Sequence, residues 1–184
     1  MSTSALPDLC GLVRARSREN QQAMERLDGL PGPQIAILRE EMESLVKVMY
    51  LLRLDMGERE ATARNVLDGR GFCDPSGQPI TDQEMLAVAG TLHGWAKIVY
   101  TFARVFIHFA SLYSFASRDP LDQLTTAERR TIVDHLNGCH EGRLNDKSPF
   151  DALAPLLVRV FNNISMNLTC YLAILEAGRS IEPV

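Results

Sequence analysis

The sequence lacks most of what would make a catalyst legible. It contains no Cys-x-x-Cys pair, no Gly-x-x-x-x-Gly-Lys loop, no Glu-x-x-His and no serine in a nucleophile-elbow setting. These absences exclude a zinc ribbon, a P-loop, a carboxylate-bridged di-metal bundle and an α/β-hydrolase site. The four cysteines, Cys10, Cys73, Cys139 and Cys170, are scattered rather than framed, and the first sixty residues hold no apolar run of signal-peptide type. Both features point to reduced thiols and a cytoplasmic location. The formal net charge is only -4, so nothing draws the whole molecule to DNA or to an anionic membrane. No cofactor is implied by any motif.

What the chain has in plenty is helical periodicity. From Met85 to Phe115 the sequence reads MLAVAGTLHGWAKIVYTFARVFIHFASLYSF. With Met85 at heptad position a, Leu92, Val99, Phe106 and Tyr113 are the other a residues, and Val88, Trp95, Phe102 and Phe109 are all d. That 3,4 spacing is a helix signature. Position e is alanine throughout, at 89, 96, 103 and 110, which lets a neighbouring backbone approach. Lys97, Arg104 and His108 share the polar side, a pattern that suits an amphipathic helix and is costly for a membrane span. A capping box at Thr81 and Glu84, flanked by Ile80 and Met85, opens this helix at Asp82. Asp119-Pro120 closes it, because the residue before proline resists helical geometry. The expected rod has about 36 residues and a length of about 54 Å, with Gly90 and Gly94 as places where it could bend.

Residues 1 to 29 hold a weaker helix on Leu6, Leu9, Leu12, Val13, Met24 and Leu27, interrupted by Arg16 and Asn20 and so expected on the outside. Arg14, Arg16 and Arg18 make a basic cluster on it, of the kind that is usually a solvated face. After the Gly-Leu-Pro-Gly-Pro break at 29–33, a second heptad runs through Ile35, Leu38, Met42, Leu45, Met49, Leu52 and Met56, with a helical extension to Asp68. Gly69 to Pro79 is the longest loop, with Phe72 and Cys73 as its apolar tip. Thr125 and Glu128 form a second capping box for a short helix ending at Gly138. Ser148 and Pro149 are expected to open the last long helix, which carries Phe150, Leu153, Leu157, Val160, Ile164, Asn167, Tyr171 and Ile174 and stops at Gly178.

These elements predict one all-α domain over 1–184, an antiparallel bundle of four long helices plus one short helix, with residues 1–5 and 179–184 frayed. The chain reads as a non-enzymatic helical interaction protein, with a protein partner or a second copy of itself, in a homodimer or a hetero-complex. Met42, Met49, Trp95, Phe102, Phe106 and Asn167 are the candidate interaction residues, since three wide seams exceed what one domain needs to bury. Asn167 is the one polar member of its seam and is suited to fixing register.

Two alternatives rest on particular side chains. Arg130-Thr-Ile-Val-Asp-His135 resembles the Arg-x4-6-His signature of HEPN-family proteins, many of which are dimeric ribonucleases or toxin components. The resemblance covers six residues. It implies that Arg130 would hold a scissile phosphate and His135 would act as acid or base on a ribose 2'-hydroxyl, with RNA as partner. Five positions along a helix set two side chains about 140° apart, and Arg129 competes for the arginine's role. The other alternative is ligand or metal binding in the bundle, for which His135 and Cys139, four apart on one face, are the candidate metal ligands.

Overall fold

The computed structural model describes residues 4–74, 76–107 and 119–181, with backbone alone at 103–107 and 120. All of its regular structure is helical: α1 (Ala5–Arg26), α2 (Pro31–Leu51), α3 (Met56–Leu67), α4 (Asp82–Leu92), α5 (Gly94–Ile107), α6 (Thr126–His140), α7 (Phe150–Leu153) and α8 (Leu157–Glu176). Among the described residues there is no strand, and no helix is long and apolar enough to cross a membrane. Helix α2 is the hub, packing on α8, α5, α4 and α1. Its seam residues Ile35, Leu38, Met42, Leu45 and Met49 are sealed from solvent and join one apolar cluster with residues of α1, α3, α4, α5, α6 and α8.

Both rods expected from the heptads are broken. The first was to run from Ile35 to Asp68, but α2 stops at Leu51. Asp55 then accepts the Glu58 N–H at 2.8 Å while Glu58 reaches back to the Asp55 N–H at 3.2 Å, a capping box that starts α3. Met56, counted with the seam, lies outside it at 53% exposure. Arg59 sets the break. Its side chain is 1% exposed and donates to the carbonyl oxygens of Leu52 at 3.0 Å, Leu54 at 2.9 Å and Arg179 at 2.9 Å, and to Ser180 Oγ at 2.7 Å. These include carbonyls that helix ends leave without intrahelical partners.

The second break falls within the central rod, at His93. Its backbone is extended (φ -147°, ψ 108°), and α5 begins at Gly94, a poor helix former. The Tyr100 hydroxyl donates to Asp82 Oδ2 at 2.8 Å, whereas a straight helix would place residues eighteen apart about 27 Å from each other. Helices α4 and α5 therefore fold back on one another. Ala89 and Ala96 are fully buried, the close approach that the alanine column predicts. Residues 108–118, with Phe109 and Tyr113, lie outside the described residues.

The termini of the shorter helices show where local signals held. Thr81 with Glu84 and Thr125 with Glu128 both form the expected capping boxes. Helix α6 runs past Gly138 to His140, and the left-handed residue is Glu141 (φ 55°). Gly142 is the glycine this turn requires, because a Cβ there would sit 2.8 Å from Asn137 Oδ1. The last helix is likewise divided. Pro155 falls in a 3-10 turn, Ala154–Leu156, between α7 and α8. Ser148 does not cap it; the Phe150 N–H donates to Asp119 Oδ2 at 3.0 Å, and Asp119 Oδ1 accepts Leu121 N–H at 2.8 Å.

Polar clamps attach α1. Glu60 of α3 accepts the Ala5 N–H at 2.6 Å, the Ser4 hydroxyl at 2.8 Å and the Leu6 N–H at 3.2 Å. The Ala5 hydrogen bond, with those of Ser4, Arg64 and Leu6, holds the Glu60 carboxyl down at about 2. Fully buried Glu41 of α2 accepts from Ser17 Oγ and, at 3.0 Å, from Asn20 Nδ2. Asn20, expected to interrupt the stripe, is thus a buried contact. Arg14 pairs with Glu176 of α8 through both arms of its guanidinium.

Replacing Arg59 with Met removes the donors and leaves several carbonyls buried without partners, so Arg59→Met should cost about 3 kcal/mol of stability. Urea denaturation followed by circular dichroism checks this; an unchanged midpoint would show that the Arg59 contacts contribute nothing net.

Candidate functional site

Four of the residues singled out in the sequence meet in one cleft. Trp95 and Val99 of α5, His135, Cys139 and His140 of α6, and Val160, Asn163, Ile164 and Asn167 of α8 line a cavity of about 100 Å³. The break at His93 builds its edge. His93 Nε2 meets the Tyr171 hydroxyl of α8, and the His93 ring lies 5.7 Å from Trp95 and 5.8 Å from Tyr171 between centroids. His135 and His140 stand edge to face at 5.4 Å. Burial lowers the pKa of all three imidazoles; for His140 the charges of His135 and Arg159 lower it further. Asn167 donates to the Asn163 carbonyl at 2.7 Å within its own helix.

This cleft does not assemble either of the chemistries proposed for His135. Arg130 projects to solvent, 3.9 Å from Asp134, with both side chains more than 70% exposed, while His135 faces the cleft. The expected angular separation on the helix is what parts them. Arg129 is engaged elsewhere, donating to the Ser148 carbonyl at 2.7 Å. Cys139 is exposed, and Cys73 bonds to the Arg70 carbonyl in the long loop. Among the described residues no group of three or more His, Cys, Asp or Glu side chains is placed to hold a metal ion.

The other candidate residues lie in the core. Met42 and Met49 are fully buried and Phe102 is 5% exposed; the Phe106 side chain lies outside the described residues. Their surplus of apolar surface is taken up by the folded-back α4–α5 pair and by α8. The basic cluster is also occupied: Arg14 pairs with Glu176, Arg16 with Glu40 at 3.1 Å, and Arg18 Nε donates to the Arg14 carbonyl at 3.3 Å.

A larger concavity lies under α1. Helix α1 crosses α2 and α8 above a cavity of about 300 Å³, walled by Leu9, Cys10, Leu12 and Val13 of α1, Ser44, Lys47, Val48 and Leu51 of α2, Val66 of α3, and Leu172 and Leu175 of α8. Gly71 and Phe72 of the long loop close one side, and Arg16 also borders it. Phe72 is seated edge-on against Tyr50, 6.0 Å between centroids. Cys10 is fully buried, and burial first, then the Glu176 charge, pushes its thiol up to about 11. At neutral pH it is a protonated, apolar part of the wall. Two signals for this cavity were present in the sequence. Phe72 is an aromatic residue amid turn formers, and Leu9, Leu12 and Val13 keep helical spacing in the N-terminal half of a helix rich in polar residues.

The fold and its sites thus define an all-helical protein with an open apolar cavity and a separate imidazole-lined cleft. No protein-family model, curated protein or solved structure matches the chain.

The cleft predicts a pH dependence. Because the folded state lowers the pKa of His135 and His140, the unfolded chain takes up protons first as pH falls below about 6.5. Stability is therefore full above that pH and declines below it. The thermal midpoint should fall from pH 7 to pH 5.5, and a His135→Asn/His140→Asn variant should lose much of that slope, His93 keeping its share. Parallel slopes for the two proteins would remove histidine burial as the cause.

Proposed function

We propose that this is a non-enzymatic helical protein that acts by binding an apolar ligand, and that the cavity beneath α1 is the seat of binding. The observation that carries this reading is the cavity itself. At about 300 Å³, with an apolar wall drawn from α1, α2, α3 and α8, it falls at the lower end of the size range of small-molecule sites. Leu12 stands at its border 59% exposed, an apolar side chain in place to be covered when the cavity fills.

Of the two non-enzymatic readings of the sequence, this favours ligand binding within the bundle over contact through helix seams. Met42, Met49 and Phe102 are spent on the protein's own core, so a partner would not reach them without unfolding it. The large apolar side chains left exposed among the described residues are Leu12, Leu30, Met56, Leu67 and Met166, one or two to a helix rather than a seam. The ribonuclease reading gains no support, since Arg130 and His135 point to different surroundings.

The protein should bind the apolar dye N-phenyl-1-naphthylamine saturably, with a rise in its fluorescence. Val13→Trp, which places an indole in the cavity, should weaken that binding by about tenfold or more while helicity is retained. Equal dye affinity in the two proteins would place the binding elsewhere.

A further inference from the structure

The charges around this cavity specify its ligand more closely, on the reading that it is a binding site. We propose that it takes an amphipathic anion, a medium-length unbranched acyl chain ending in a carboxylate, with the chain among Leu9, Val13, Val48, Val66, Leu172 and Leu175 and the carboxylate at Lys47.

The body of the ligand is set by what the wall cannot do. The Ser44 hydroxyl donates to the Glu40 carbonyl at 3.0 Å, within its own helix, and Cys10 offers only a buried thiol. A polar group carried into this space would lose its water and gain little in exchange. An alkyl chain has no hydrogen bonds to give up, and each methylene it buries favours binding. At about 300 Å³ the cavity lies at the lower end of the range of small-molecule sites, which suits a chain of medium length.

The head group is set by the sign of the charge. The charged side chains lining the cavity are Lys47 and Arg16, both cationic; no Asp or Glu lines it. Arg16 is already paired with Glu40. Lys47 has no ion pair within 4.0 Å among the described residues, and the carboxylate four residues before it, Glu43, is taken by Arg39 at 2.8 Å. On its other side Lys47 borders a shallow recess with Asp82, whose carboxylate accepts from Tyr100. A half-buried lysine, its charge on a flexible stem at the edge of an apolar chamber, suits a carboxylate whose tail the chamber holds.

Calorimetric titration of the full chain with decanoate, decanol and decyltrimethylammonium, each below its micellar concentration, tests this. Decanoate should bind about tenfold more tightly than decanol, and the cationic amphiphile more weakly than either. Lys47→Met keeps the apolar stem, and should bring decanoate down to the affinity of decanol without changing decanol itself. Val13→Trp should weaken both; if that variant does not fold, Ser44→Phe narrows the same space from α2. Decanoate and decanol binding alike, or decanoate indifferent to Lys47→Met, would overturn the head-group assignment and leave the cavity reading standing. Failure of all three to bind would overturn both.

Discussion

A guanidinium sealed inside the protein and hydrogen-bonded to carbonyls and a hydroxyl is the constraint on which the rest of the arrangement turns. Arg59 is 1% exposed, and the acceptors it finds are the carbonyls of Leu52, Leu54 and Arg179 and the hydroxyl of Ser180. Desolvating a charge is expensive, so such a side chain is tolerated only where its donors are satisfied together. Here one residue ties the end of α2, the start of α3 and the chain beyond α8 to a single point. That tie turns the chain at 52–55, and α3 with the loop that follows it becomes a wall beside α2 and α8.

Helix α1 is laid across that wall by polar contacts rather than by a continuous apolar seam. Glu60 holds its N-terminus, Glu41 its middle through Ser17 and Asn20, and the Arg14–Glu176 pair ties it to α8. Hydrogen bonds fix distance and direction, whereas apolar burial only rewards proximity. With its spacing set by polar clamps, α1 does not collapse onto Val48 and Leu172. Protein interiors seldom leave such spaces, because an enclosed void forfeits contacts on every side. An opening to solvent lowers that penalty, and the cationic lysine at the border gives the space a preferred orientation for what enters it. The imidazole cleft at α5, α6 and α8 is built differently. It depends on the kink at His93, which brings that ring to Tyr171 and Trp95, and Trp95 lines the same cleft as the α6 histidines.

Much of this was legible in the sequence, and the remainder was not for definite reasons. The capping boxes at 81–84 and 125–128 formed because both partners lie within one helical turn and need nothing from elsewhere. The capping box at Asp55 and Glu58 has the same logic, but the apolar heptad continues into it through Leu52 and Met56 and hides it. The equal periodicity of α4 and α5 conceals the turn at His93 in the same way. Asn20 and Arg59 look like surface residues because Asn20 finds its acceptor 21 residues away and Arg59 finds two of its four oxygen acceptors at 120 and 121 residues. For the sites, the helical spacing of His135 and Cys139 put them on one face, and Trp95 and Asn167 stood out by type. That these four share a cleft follows from how α5, α6 and α8 meet.

The sequence by itself therefore determined the fold class, the approximate extent of α1 and α6 and the residues of the α2 core, because periodicity and local capping act within a few residues. Tertiary structure decided that the long apolar seams break and how sharply, which polar groups are buried, and that Lys47, Val13 and Leu172 surround one cavity. Each of those outcomes depends on groups distant in sequence satisfying one another, and no local pattern records such a partnership.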